Sequence, residues 1–147
     1  MENYVKLSKV VEKLNLKNLT PDVDMTEKKV MVPDINRPAL QLTGFFEHFA
    51  YERVQLIGCV EYTFLENMEE DEKEKIYDML LSYKIPCIIF CRNLKPDDSL
   101  IEKANKANVP VFSTETPTSA FSAEIIRWLN VELAPCISIH GVLVDVY

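Results

Sequence analysis

The stretch Pro86-Cys87-Ile88-Ile89-Phe90, closed by Arg92-Asn93 and followed after a polar segment by Val109-Pro110-Val111-Phe112, decides the fold. The first run is short, almost continuously apolar and bounded by proline and by Arg-Asn, the pattern of a strand buried on both faces. Ser99 and Glu102 have capping-box spacing before a helix that reads to about Asn108. Val109 to Phe112 is a second brief strand. Thr116 as N-cap and Pro117 at the first helical position open a helix whose wide apolar face is Phe121, Ile125, Trp128, Leu129 and Leu133. Strand, helix, strand, helix with crossovers long enough for parallel pairing is a βαβα unit. The expectation is an α/β fold, a mostly parallel sheet flanked by helices.

Upstream, Val54 to Cys59 reads as a strand, and Val60, Phe64, Leu65 and Met68 follow at helical spacing. Glu69-Glu70-Asp71-Glu72 stands ahead of Ile76, Met79, Leu80 and Tyr83, which predicts a helix whose acidic start suits its dipole. Nearer the N-terminus, Leu7, Val10, Val11 and Leu14 fall on one stripe and predict a helix from about Tyr4 to Leu14. Lys28 to Val32 is β-prone, Pro33 to Pro38 is turn chemistry, and Ala39 to Gly44 is a short helix or tight turn ending at glycine. Downstream, Ile137, Ile139, Val142, Val144 and Val146 alternate, which predicts a strand running to Tyr147. Lacking a following partner, such a strand should be disordered, pair on a sheet edge of this domain, or pair with another copy of the chain.

The 147 residues suffice for about one domain of the usual ~100–200 residues, and 48% apolar content rules out disorder as the main state. A net charge of −7 lacks the electrostatic footprint of a nucleic-acid binder. Three glycines, at 44, 58 and 141, leave no room for a glycine-rich phosphate loop. No apolar run approaches the roughly 18 residues that span a bilayer, and the N-terminus carries no signal-peptide pattern. Together with four cysteines in apolar surroundings, at 59, 87, 91 and 136, this reads as a cytoplasmic chain with no membrane partner.

Chemical motifs are sparse. Cys87 and Cys91 on a strand point to one face but lie about 13 Å apart at roughly 3.3 Å per residue, beyond disulfide or shared metal reach, so both read as packing residues. The acidic run 69–72 reads as a solvated helix start, not a metal site. His48, within Phe45-Phe46-Glu47-His48-Phe49-Ala50-Tyr51, reads as a surface residue of an aromatic cluster. His140 sits before Gly141 where apolar residues resume; from the residues alone it reads as structural, though an imidazole there can also stand beside a ligand.

Several strings are specific: Asn36-Arg37-Pro38-Ala39-Leu40-Gln41-Leu42-Thr43-Gly44-Phe45-Phe46, Glu52-Arg53-Val54-Gln55-Leu56-Ile57-Gly58, Glu61, Phe64-Leu65, Leu133-Ala134-Pro135 and His140-Gly141-Val142-Leu143-Val144-Asp145-Val146-Tyr147. They closely resemble the N-terminal half of bacterial HPr kinase/phosphorylase; Ala39 departs from the family's usual glycine. The resemblance implies residues 1–134 as an N-terminal α/β domain and 135–147 as a linker and first strand of a P-loop kinase domain beyond this chain. It implies an enzyme that phosphorylates and dephosphorylates the phosphocarrier HPr, using ATP or pyrophosphate with Mg²⁺, as a hexamer in carbon catabolite control. It places His140 among the catalytic residues of the full-length enzyme. The chain alone is expected to be inactive and to hold no cofactor. That domain is also similar in fold to the first domain of certain peptidoglycan-precursor ligases. The rival reading is a free-standing ligand-binding sensor module that shares the domain.

Overall fold

The computed structural model describes residues 3–135 and the backbone of residues 137–139 and 142–144. The chain opens with β1 (Val5–Lys6), α1 (Leu7–Lys13), β2 (Lys17–Asn18), β3 (Lys29–Val30), β4 (Ile35–Asn36) and α2 (Ala39–Leu42). It continues with β5 (Val54–Ile57), α3 (Cys59–Glu66), α4 (Glu70–Leu81), β6 (Ile88–Phe90), α5 (Asp98–Ala107), β7 (Val111–Ser113) and α6 (Thr118–Glu132). Last come β8 (Ile137–Ile139) and β9 (Val142–Val144).

Five strands form the central sheet in the order β2-β7-β6-β5-β4. Strands β4 to β7 are mutually parallel, and β2 closes the β7 edge antiparallel. The α/β expectation therefore holds. Side chains of the buried strands alternate between two cores, as period-two geometry requires. Ile57, Ile88, Phe90 and Val111 pack with Leu42 of α2, Leu65 of α3, Ile76 and Leu80 of α4, and Leu100 of α5. On the other face Leu56, Cys87, Ile89, Cys91 and Phe112 pack with Leu7 and Val10 of α1 and with Phe121, Ile125 and Leu129 of α6. Cys87 and Cys91 share one face and are fully buried, as their spacing implied. Trp128 is half-buried against the same core, so the α6 face is placed as expected.

Four local expectations are corrected. The first helix begins at Leu7, not Tyr4, because Val5 and Lys6 pair antiparallel with Val30 and Lys29 and long-range pairing overrides the stripe. Within the supposed turn 33–38, Ile35–Asn36 form a parallel edge strand that the flanking prolines hold to two residues. Ser99 caps nothing: α5 starts at Asp98 with Asp97 as N-cap, and the Ser99 hydroxyl donates to Glu74 Oε2 at 3.0 Å. Pro117 is the N-cap of α6 and Thr118 its first residue, since Pro117 keeps an extended ψ of 149°.

The C-terminal expectation of one strand is also corrected. β8 and β9 pair antiparallel with each other, Ile139 opposite Val142, in a two-stranded sheet separate from the central one. Self-pairing satisfies ladder groups that a lone strand would leave open. A glycine between two apolar runs was the sequence cue for it.

Candidate functional site

Because β4 to β7 run parallel, their carboxyl ends line one edge of the sheet, where open α/β sheets place ligand crevices. The residues that follow these ends gather there: Arg37 after β4, Gly58 after β5, Cys91 and Arg92 after β6, Thr114 after β7. Helix α3 starts at this edge on one face of the sheet. Helix α6 starts at it on the other, so two helix N-termini meet at one place.

Glu61, in the first turn of α3, is only 3% exposed. Its Oε1 accepts from the Gly58 N–H at 2.7 Å, from Arg37 Nη2 at 2.9 Å and from Arg37 Nε at 3.3 Å. A buried carboxylate needs such partners. The Arg37 side chain is 41% exposed, so the ion pair faces solvent on the arginine side alone. Gly58 has ordinary extended dihedrals; space, not conformation, demands glycine there. A Cβ would stand 2.5 Å from Thr118 Oγ1 and 2.8 Å from Arg37 Nη2.

Thr118 is buried, and among the described residues its Oγ1 has no hydrogen-bond partner. It approaches the Cys91 thiol, a weak acceptor, without reaching hydrogen-bond geometry. Burial pushes the Cys91 thiol up, while the adjoining Thr118 hydroxyl and then the charges of Arg37 and Arg92 pull against that rise. A buried thiol with a raised pKa is a packing group and not a nucleophile. Arg92 and Asn93 both take left-handed dihedrals, with φ of 59° and 55°. Their N–H groups donate to Thr116 O at 3.2 Å and Thr114 O at 2.9 Å, tying the turn after β6 to the loop entering α6.

A second polar cluster, with Lys73 and Tyr77 buried and Glu70 and Asp97 exposed, joins α4 to the start of α5. Lys73 Nζ lies 2.9 Å from Asp97 Oδ2 and 3.1 Å from Glu70 Oε1, and Tyr77 Oη donates to Asp97 Oδ2 at 2.7 Å. Burial raises the Asp97 carboxyl, but hydrogen bonds from Tyr77 and Lys73 outweigh it and hold the group below the usual range. Burial, then the bond to Asp97, pushes the Tyr77 phenol well up, and the bond to Asp97 raises Lys73.

His48 lies on the surface with a left-handed φ of 60°, beside the Phe46–Phe49–Tyr83 aromatic cluster, as its sequence position implied. His140 lies outside the described residues, and so do residues 136, 141 and 145–147 of the expected 135–147 segment. Residues 69–72 start α4 and are exposed. Among the described residues no group of three or more His, Cys, Asp and Glu could hold a metal ion, and no helix is long and apolar enough to cross a membrane. In the sequence Arg37 and Glu61 stand out only within the strings of a resemblance, Gly58 there and as one of three glycines, and Thr118 not at all. The available signal was a glycine between strand and helix with a glutamate three residues on, in a chain with few glycines.

This is a three-layer α/β domain with a partly buried polar cluster at the carboxyl edge of its sheet. The chain belongs to the HPr Serine kinase N terminus family, which matches residues 5–129. It is similar to the HPr kinase/phosphorylase of Lachnoclostridium phytofermentans, 54% identical over 143 residues, covering 97% of this chain and 46% of that protein. It is also similar to that of Alkaliphilus metalliredigens, 36% identical over 97% of this chain and 46% of the relative, and to that of Listeria welshimeri, 37% identical over 100% and 47%. The chain thus spans about half the length of the curated relatives it matches. A crystal structure of the CBS and DRTGG domains of the regulatory region of Clostridium perfringens pyrophosphatase, complexed with its activator diadenosine tetraphosphate, matches with TM-score 0.57 and 17% identity. That match covers 82% of this chain and 46% of the other, and shows a shared fold.

Proposed function

We propose that this chain is the N-terminal, assembly or regulatory half of a bifunctional protein-serine kinase/phosphorylase that phosphorylates and dephosphorylates the phosphocarrier HPr in the cytoplasm. The observation that carries the reading is the pairing of near-complete coverage of this chain with less than half coverage of relatives named HPr kinase/phosphorylase. Phosphoryl transfer is mostly positioning and electrostatics around the phosphates, and ATP or pyrophosphate with Mg²⁺ belongs in this reading to the other half. The scarcity of glycine supports that division, because the three at 44, 58 and 141 stand too far apart in the sequence to form a glycine-rich phosphate loop. His140 is assigned to the transfer site of the full-length enzyme, where an imidazole orients or neutralises phosphate oxygens. Residues 135–147 form the connection to the kinase domain, and the full-length protein assembles as a hexamer.

The test is HPr phosphorylation by the full-length protein and its variants. His140→Ala should impair transfer with the fold intact, His48→Ala should leave it unchanged, and this chain alone should show no transfer. Calorimetric titration of the chain with ATP should show weak binding at most. Transfer unchanged in His140→Ala, or sub-micromolar ATP affinity in the isolated chain, overturns the assignment.

A further inference from the structure

A cavity of about 740 Å³ lies at the opposite edge of the sheet, where the parallel strands begin. Pro86 leads from it into β6 and Val109 into β7, while residues 27–29 and 31 at β3 and residues 51–52 ahead of β5 line its remaining sides. Its size falls in the range of roughly 300–1,000 Å³ of small-molecule sites. Three chemistries meet in its lining. Buried Leu81, Ile85 and Val109, with the exposed Met31, form an apolar side. Tyr51 and Tyr83 form an aromatic side, their ring centroids 5.9 Å apart. Tyr83 is stacked on Phe46 at 5.6 Å and meets Phe49 edge-on at 5.0 Å, so this wall is ordered before a ligand arrives. The third chemistry is charge of both signs, from Lys28, Lys84, Glu27 and Glu52. Lys29 also lines the cavity, but its ammonium is taken by the Tyr4 ring at 4.2 Å. Among the described residues the other four have no ion-pair partner. A purely anionic ligand would meet repulsion from Glu27 and Glu52, and a purely cationic one from Lys28 and Lys84. A ligand with a carboxylate, an ammonium and a ring uses all three chemistries.

We propose that this cavity binds an aromatic α-amino acid, with its ring against Tyr51 and Tyr83, its carboxylate toward Lys28 and Lys84, and its ammonium toward Glu27 and Glu52. The site lies at the amino edge of the sheet, apart from the Arg37–Glu61 cluster. It goes beyond the phosphoryl-transfer reading: the domain receives a small zwitterion whatever the longer protein transfers.

The experiment is an amide chemical-shift titration of the chain with L-phenylalanine at constant pH and ionic strength. L-Alanine, 3-phenylpropionate and phenethylamine are the comparison ligands, lacking the ring, the ammonium and the carboxylate in turn. Saturating shifts at residues 27–31, 51–52 and 83–85 are expected, with a dissociation constant of about 1 mM for L-phenylalanine. The two ligands that lack one charge should bind several-fold more weakly, and L-alanine should give no saturating shifts. Tyr51→Ala removes the exposed ring and should weaken L-phenylalanine several-fold. Lys28→Gln combined with Lys84→Gln should weaken L-phenylalanine and 3-phenylpropionate but not phenethylamine. Glu27→Gln combined with Glu52→Gln should weaken L-phenylalanine and phenethylamine but not 3-phenylpropionate. None of these four side chains takes part in an ion pair of the described fold, so both double variants should melt with the parent. Absence of saturation, equal shifts with L-alanine, or unchanged affinity in Tyr51→Ala overturns the site. Affinity for 3-phenylpropionate or phenethylamine equal to that for L-phenylalanine, or double variants that leave L-phenylalanine binding unchanged, overturns its assignment to an amino acid.

Discussion

Two polar clusters in this domain each hold one buried charge, Lys73 in one and Glu61 in the other, and they differ in whether their buried hydrogen bonds close. Between α4 and α5, Lys73, Tyr77, Asp97 and Glu70 satisfy one another, and the half-exposed Asp97 turns its remaining valence to water. At the carboxyl edge, Glu61 is satisfied, but Arg37 is half used and Thr118 is not used. A closed network ties helices together and asks for nothing further. At the carboxyl edge the exposed part of the Arg37 guanidinium faces solvent as Asp97 does, and the open end is the Thr118 hydroxyl, enclosed beside Gly58 and Cys91.

The sharpest way to break this comparison is to remove one charge from each cluster. Arg37→Ala leaves the Glu61 carboxylate buried with the Gly58 N–H alone, and should cost about 3 kcal/mol in urea unfolding. Arg37→Lys should recover part of that, because an ammonium cannot reproduce the fork of Nε and Nη2. If Lys73→Met in the other cluster costs more than Arg37→Ala, the ranking of the two clusters is reversed. Next in size is Gly58→Ala. Its methyl group must displace Thr118 Oγ1 or Arg37 Nη2, for a loss of about 1–3 kcal/mol by the same measurement. A fully stable variant would mean that the crowding at residue 58 relaxes freely.

Tyr77→Phe removes one donor from Asp97 while Lys73 and water remain, so a loss of about 1 kcal/mol is expected. The same cluster sets a pH response. Tyr77 and Lys73 have raised pKa values in the folded protein, so their stabilisation is complete below their ordinary values near pH 10 and is lost as pH rises through the folded values. Asp97 is lowered, so its contribution is present above about pH 4 and is lost as pH falls through its folded value. The urea midpoint should therefore fall at both extremes, and Tyr77→Phe should flatten the alkaline fall. The smallest effect belongs to Thr118→Val, which should unfold within about 0.5 kcal/mol of the parent, or slightly above it, because no bond is lost. A large loss would reveal a partner for the hydroxyl and close the open cluster.

Hydrophobic pattern made the α/β core legible. The run 86–90, the acidic start of α4 and the apolar face of α6 are local signals, and burial on both sheet faces follows from them. Two-residue strands carry no such signal. β1, β2 and β4 exist because partners distant in sequence present open backbone edges to them, and no window of the chain contains that information. The start of α5 moved by two residues for a related reason: the Asp97 and Ser99 side chains bond across the helix pair to Tyr77, Lys73 and Glu74 instead of capping the helix.

For the candidate site the division is sharper. The sequence by itself determined the composition, the family resemblance and the scarcity of glycine, because these are properties of residue identity and spacing. Only the tertiary structure decided that Arg37, Gly58, Glu61, Cys91 and Thr118, spread over 82 positions of the chain, stand at one edge. Parallel pairing is the physical reason: it places the carboxyl end of every strand on the same side, so residues that are remote along the chain become neighbours wherever those strands stop.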